Sequence, residues 1–106
     1  MVPRGVDREV YLRTLLRRPQ DHVRIAMEPY RFTTYFEKQV LRKRPYLKRE
    51  WCVYTIENAV RSESQDGNRW RFWAPIADLN GRYLRVVTLD DKITIHNAFP
   101  DRGFRP

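Results

Sequence analysis

The sequence predicts an α+β fold, in which helices come first along the chain and an antiparallel sheet follows. Apolar residues recur at helical spacing through most of the first 58 residues, whereas later segments alternate polar and apolar residues as strands do. In addition, the pairs Asp66-Gly67 and Asn80-Gly81 favour tight hairpins between such strands. We therefore expect N-terminal helices packed on one face of a four- or five-stranded antiparallel sheet.

The first predicted helix covers residues 7–18. Asp7 is a suitable N-cap, and apolar residues then repeat every three or four positions. Pro19 ends this helix because proline cannot continue the backbone hydrogen-bond ladder. Residues 23–25 alternate in polarity, which favours a short strand.

Two further helices are predicted before residue 58. The segment Thr34-Tyr-Phe-Glu37 has the spacing of a capping box and opens a helix that runs to about Arg44. Arg44 precedes a proline, where helical backbone is disfavoured. The next helix runs from about Leu47 to Glu57.

Four segments with strand character follow and predict a meander. They are Val60–Gln65, Arg69–Trp73, Tyr83–Leu89 and Lys92–Asn97. With 106 residues the chain is long enough for one domain and too short for two. We divide it into an N-terminal helical extension (1–19), a basic helical part (20–58), the meander (59–99) and a short end segment (100–106).

Composition excludes several classes of protein. A single cysteine excludes an internal disulfide framework, and no apolar run reaches the roughly 18 residues that a membrane span needs. The first residues lack the apolar stretch of a secretory signal, so we expect a cytoplasmic protein without a membrane partner. With two histidines and no glycine-rich phosphate loop, the sequence predicts neither a metal site nor a cofactor.

Positive charge is concentrated in the first half of the chain. The formal net charge is +8, of which residues 1–50 carry +7. The segment 38–49 holds six basic side chains and no acidic one. Such a tract attracts polyanions without reading their sequence, so RNA, the ribosome or an acidic protein is the expected partner. The alternative is a solvated face that only keeps the protein in solution.

Strand geometry predicts a polar pair on the last hairpin. If Asp90-Asp91 forms a two-residue loop, Arg85 lies directly opposite His96 on one sheet face. The other face then carries only apolar residues of these two strands, which helices can cover: Leu84, Val86, Ile93 and Ile95.

Metal-independent RNA cleavage is the chemistry that such a pair suggests. A base must take the 2′-hydroxyl proton, a cation must stabilise charge on the phosphate, and an acid must protonate the leaving oxygen. His96 can serve as base or acid, and Arg85 can grip the phosphate. Glu63 or His22 can supply the second proton-transfer group. Further RNA contacts are predicted from the strands and from the basic helical part: Arg61, Arg69, Arg71, Arg42, Lys43, Arg44, Lys48 and Arg49.

The second half of the chain resembles the BrnT-like group of small bacterial proteins, which is related to the RelE superfamily of ribonuclease toxins. The segments that carry the resemblance are Ile56–Val60, Gln65–Arg69, Gly81–Val87 and Thr94–Phe99. The resemblance implies a RelE-like fold, cleavage of free or ribosome-bound mRNA without a metal, and inhibition by a cognate antitoxin. It supports Arg85 most firmly, then His96, and then Arg61 and Arg69.

Three interpretations of the function therefore stay open. The leading expectation is the toxin component of a bacterial toxin–antitoxin system, acting as an endoribonuclease through His96, Arg85 and Glu63. The alternative is a non-catalytic basic module of the same fold that holds RNA or an acidic protein. A third interpretation, a structural subunit with no nucleic-acid role, predicts binding that does not weaken with salt.

Overall fold

The computed structural model of the protein describes Gly5 and residues 27–106. The predicted helix over residues 7–18, the predicted strand over residues 23–25 and His22 lie outside the described residues. The described part has the predicted α+β architecture, with short helices packed on a five-stranded sheet.

The elements follow one another as two helices and then a run of strands, preceded by one very short strand. In chain order they are β1 (Arg31–Phe32), α1 (a π-helical turn Phe36–Val40 continued by Leu41–Lys43), α2 (Arg49–Glu57), β2 (Arg61–Gln65), β3 (Arg69–Ile76), a 3-10 turn (Ala77–Leu79), β4 (Arg82–Leu89) and β5 (Thr94–Pro100). None of the helices in residues 27–106 is long and apolar enough to cross a membrane.

The sheet is mixed, with strand order β1-β5-β4-β3-β2. Strands β2 to β5 form the predicted antiparallel meander, and Gly67, at φ +83°, lies in the predicted turn between β2 and β3. The expectation of a purely antiparallel sheet is wrong, because β1 pairs with β5 in parallel. With only two residues, β1 is too short to show an alternating pattern, and helices separate it from the meander.

Both helices in the described part form close to their predicted places. Thr33, rather than Thr34, caps α1, because its Oγ1 accepts the N–H of Phe36 at 3.0 Å. The helix ends at Lys43, as the proline after Arg44 predicts. Helix α2 begins two residues later than predicted and ends at Glu57.

The helices cover one face of the sheet and form the core with it. The strand residues in this core have even numbers in β3 and β4, as the two-residue period of a strand requires. Leu84 and Ile95 have no exposed surface, and each such burial stabilises the fold by about 1.5–3 kcal/mol. The core cluster comprises Phe36, Val40, Leu47, Cys52, Val53, Ile76, Leu79, Leu84, Val86, Ile95 and Ala98.

The hairpin between β4 and β5 differs from the prediction. Its loop has four residues, 90–93, because the Asp91 carboxylate accepts the N–H groups of Ile93 and Thr94 at 3.0 and 2.8 Å. The longer loop shifts the strand register, so that Arg85 lies opposite Phe99. The predicted pairing of Arg85 with His96 is therefore wrong.

Candidate nucleic-acid interface

The sheet face opposite the core carries a cluster of arginines. Alternation along β2, β3 and β4 places there the residues that we call the arginine face: Arg61, Glu63, Arg69, Arg71, Trp73 and Arg85. Six site residues were predicted on strands β2 to β5. Five of them belong to the arginine face, and the sixth, His96, lies on β5 beside the register shift.

One residue from each of four neighbouring strands forms a row across the arginine face, which we call the cross-strand row. Arg61 of β2 lies opposite Trp73 of β3, Trp73 lies opposite Arg85 of β4, and Arg85 lies opposite Phe99 of β5. Cations and aromatic rings thus alternate across four strands. The Arg85 guanidinium carbon lies 5.5 Å from the Trp73 ring centroid and 5.3 Å from that of Phe99, within the range of cation–π attraction.

A groove of about 450 Å³ runs between the arginine face and residues 101–106, which we call the tail. Four arginines and two carboxylates line it, so that its net charge is positive. The lining residues are Arg61, Glu63, Arg71, Trp73, Arg85, Asp101, Gly103, Phe104 and Arg105.

The two carboxylates of the groove each contact an arginine. Glu63 Oε1 accepts a hydrogen bond from Arg71 Nη2 at 3.0 Å, and both side chains keep about a third of their surface exposed (39% and 30%). Asp101 Oδ2 lies 3.7 Å from Arg85 Nη1. Arg85 Nη2 also donates to Gln65 Oε1 at 3.0 Å. These contacts fix the guanidinium groups in position.

Trp73 is the centre of the groove. Its indole Nε1 donates to Asp101 Oδ2 at 2.9 Å, and the Phe104 ring stacks on it at a centroid distance of 4.8 Å. The guanidinium carbon of Arg71 lies 5.5 Å from the same indole, as does that of Arg85. The tail thus holds Trp73 buried, with 4% of its surface exposed.

Two donors of the groove make no hydrogen bond to the described part of the chain. They are the Nε–H groups of Arg71 and Arg85, and both are buried. A buried charged donor without an acceptor costs free energy, which an anionic ligand can recover.

His96 lies outside the groove, at the junction of β5 with the start of α1. Val87 pairs with Asn97 and Thr88 with Ile95, so the bulge places His96 between two paired positions. Its Nδ1 lies 3.1 Å from Thr33 Oγ1, and its ring stacks on Tyr35 at 4.8 Å. Burial, and then the positive charge of Arg69, lower the pKa of His96. The imidazole is therefore neutral at pH 7.

The basic residues of the helical part lie outside the groove, and one of them, Arg44, reaches Phe99 at the end of the cross-strand row. Arg42 and Lys43 are exposed at the end of α1, and Lys48 and Arg49 are exposed at the start of α2. None of the five predicted here, Arg44 included, lines the groove. Three of them lie over aromatic rings at 5.6–5.7 Å: Arg44 over Phe99, Lys48 over Trp51 and Arg49 over Phe32.

The described part of the chain offers neither a metal cluster nor a reactive thiol. Residues 27–106 contain no group of three or more His, Cys, Asp or Glu side chains placed to hold a metal ion. Burial, and then the negative charge of Glu50, raise the pKa of the Cys52 thiol to about 12. Cys52 is therefore a core residue and a poor nucleophile, since a thiolate is the reactive form.

Five of the nine groove residues were not predicted from the sequence as site residues: Trp73, Asp101, Gly103, Phe104 and Arg105. Trp73 follows Arg71 by two positions, so strand alternation puts both on one face, and this is the signal that could have identified Trp73. Asp101 and Phe104 belong to an irregular segment without a period, and only the fold shows that it turns back over the sheet.

Comparison of the chain with protein-family models, with curated proteins and with solved structures finds no match.

Proposed function

We propose that this protein binds single-stranded RNA on its arginine face and cleaves it without a metal ion. The observation that carries the proposal is the groove, where four arginines and two aromatic rings surround the carboxylate of Glu63. Guanidinium groups grip phosphates through paired hydrogen bonds. Aromatic rings stack on bases, whatever the sequence. Glu63 adds a group that can accept a proton.

The cleavage step that fits these residues uses the 2′-hydroxyl of the RNA as nucleophile. Glu63 takes the 2′-hydroxyl proton, the 2′-oxygen forms a bond to phosphorus, and the bond from phosphorus to the 5′-oxygen breaks. Arg71 and Arg85 stabilise the charge that develops on the phosphate. Because the groove is open, water protonates the departing 5′-oxygen. The products are a 2′,3′-cyclic phosphate and a 5′-hydroxyl end.

A cleavage assay in EDTA tests this step directly. We expect purified protein to cut a labelled single-stranded RNA and to leave intact an oligomer with 2′-deoxyribose throughout. Glu63→Gln should lower the rate at least a hundredfold, because general base catalysis contributes about 10²–10⁴-fold, while RNA affinity changes little. Equal cleavage by wild type and Glu63→Gln would contradict the role of Glu63.

The structure places Phe99, and not His96, opposite Arg85. The catalytic role of His96 therefore stays a prediction. In the same assay, His96→Ala separates the two assignments. A loss of cleavage in His96→Ala with full cleavage in Glu63→Gln would move the chemistry from the groove to β5.

We also propose that the protein is a RelE-like toxin of the bacterial cytoplasm, restrained by an antitoxin protein. The resemblance in residues 56–99 and the meander of β2 to β5 support this proposal. Induced expression in bacteria should stop growth and fragment mRNA, whereas Glu63→Gln at the same soluble level should do neither. Growth arrest without RNA fragments would contradict the ribonuclease assignment.

The second candidate is a binding module without catalysis. Its support is that Glu63 already pairs with Arg71 and that no histidine of residues 27–106 lines the groove. This candidate predicts salt-sensitive RNA binding with no cleavage by the wild type. Binding without cleavage would therefore decide in its favour.

A further inference from the structure

The tail carries two groups that match the parts of a nucleotide. Asp101 places a carboxylate 3.7 Å from Arg85 Nη1, where an anionic phosphate oxygen can lie. Phe104 stacks its ring on Trp73 with an interplanar angle of 16°, as a nucleobase stacks on an aromatic side chain. The two groups are three residues apart on the tail and reach neighbouring residues of the cross-strand row.

A third contact also resembles the binding of a nucleotide. The guanidinium carbon of Arg61 lies 5.1 Å from the centroid of the Phe104 ring. Arginine attracts the face of an aromatic ring, and it stacks on nucleobases in the same way. Trp73 and Arg61 thus hold an aromatic ring, while Arg85 holds an anion.

We propose that Trp73, Arg61 and Arg85 form a subsite for one nucleotide unit, and that the tail occupies this subsite in the free protein. The proposal rests on the proposed function for the kind of chain that supplies the nucleotide. The tail then competes with the RNA for this subsite. Strong RNA binding requires that Phe104 and Asp101 leave it.

The way the tail is attached allows it to leave. Its anchoring backbone bond runs from the Asp101 N–H to the Tyr83 carbonyl at 2.9 Å, at the end of β5. Beyond that point, the Gly103 N–H donates to Asp101 Oδ1 at 3.0 Å and the Phe104 N–H approaches the Asp101 carbonyl at 3.4 Å, both within the tail. Phe104 is therefore held chiefly by its ring contacts with Trp73 and Tyr83.

A buried donor of Arg85 also supports the proposed subsite. The Nε–H of Arg85 is buried and has no hydrogen-bond acceptor within the described residues. Displacement of Asp101 would leave this donor and Nη1 for a phosphate. A carboxylate at 3.7 Å is a long contact, and a phosphate that binds in its place can make shorter, paired hydrogen bonds.

The test is the binding of adenosine 5′-monophosphate, measured by calorimetry for the wild type and for tail variants. Phe104→Ala removes the competing ring and should bind the nucleotide about tenfold more tightly than the wild type, since base stacking is a contribution of this size. The matched control Phe104→Trp keeps a stacking ring and should bind no more tightly than the wild type. Equal or weaker binding by Phe104→Ala, with its fold intact by circular dichroism, would overturn the proposal.

A second variant tests the anion part of the subsite. Asp101→Asn keeps the size of the side chain and one hydrogen-bond acceptor but removes its charge. It should tighten the binding of adenosine monophosphate and leave the binding of adenosine, which has no phosphate, unchanged. Tightening of both ligands to the same degree, or of neither, would contradict the pairing of phosphate with Arg85.

One measurement on the wild type keeps the proposal testable if a variant does not fold. In NMR spectra, high concentrations of adenosine monophosphate should shift both the Trp73 indole N–H and the Gly103 amide, because both groups donate to Asp101. No shift of either signal with the nucleotide would overturn the proposal. The outcome does not depend on RNA cleavage, so nucleotide binding without ribonuclease activity would retain the subsite and reject the enzyme.

Discussion

The protein carries two sets of basic residues that differ in how they are held. On the arginine face, Arg71 and Arg85 are half-buried, donate to Glu63 and Gln65, and lie against Trp73. In the helical part, Arg42 and Lys43 are exposed at a helix end. The residue types are nearly the same in both sets, but their surroundings differ.

This difference separates two contributions to RNA binding. A fixed guanidinium group can recognise one phosphate with defined geometry, because the protein has already restricted its motion. Exposed basic side chains add long-range attraction, which raises association rates and weakens steeply with salt. We therefore assign recognition and chemistry to the arginine face, and non-specific attraction to the helical part.

The largest effect on affinity should come from Arg85→Ala. A hydrogen bond to a charged group contributes about 1.5–3 kcal/mol, so this variant should bind single-stranded RNA at least tenfold more weakly. The matched control is Arg49→Ala, since Arg49 also lies over an aromatic ring, Phe32, at 5.6 Å. Arg49→Ala should weaken binding less than threefold. Fluorescence anisotropy at fixed salt checks both, and equal losses would remove the distinction between the two sets.

A smaller effect is expected when Arg42 and Lys43 are both replaced by glutamine. Each lost contact with a phosphate should reduce the dependence of log Kd on log salt by about 0.7, so the double variant should reduce it by up to about 1.4. Its preference among RNA sequences should not change. Titrations at several salt concentrations measure this slope, and an altered sequence preference would place recognition in the helical part.

The smallest effect concerns the stability contributed by His96. Because its pKa is lowered, chiefly by burial, the folded protein takes up this proton less readily than the unfolded chain does. The contribution of His96 is therefore present above the unfolded pKa of about 6.5 and is lost as the pH falls from there toward the lowered folded pKa. His96→Gln should lose less stability over this range than the wild type. Urea unfolding at pH 7 and pH 5 measures the difference, and parallel losses would show that His96 does not titrate in this way.

The sequence predicted those parts of the fold that repeat a local pattern. Strands β2, β3 and β4 alternate regularly and are joined by strong turn signals, so all three were predicted from the sequence. Arg61, Glu63, Arg71 and Arg85 were candidate site residues on them, and the structure shows that the four share one face. Strand β1 was not predicted, because a strand of two residues shows no alternating pattern. Its partner, β5, also lies more than 60 positions further along the chain.

The rest of the site depends on features that no local pattern records. The side chain of Asp91 stabilises a longer loop, which changes the register and separates His96 from Arg85. The tail closes the groove through side-chain contacts of Asp101 and Phe104 with residues about 30 positions away. The periodicity of a sequence does not predict such long-range side-chain contacts.

The most direct test of the arginine face uses two tryptophans. Trp73 lies in the groove, and Trp51 lies in α2 beneath Lys48 of the helical part. When single-stranded RNA is added to labelled protein, the indole N–H signal of Trp73 should shift strongly in NMR spectra and that of Trp51 should stay almost unchanged. A shift of Trp51 with an unmoved Trp73 would contradict the account, because RNA would then lie on the helical part and not in the groove.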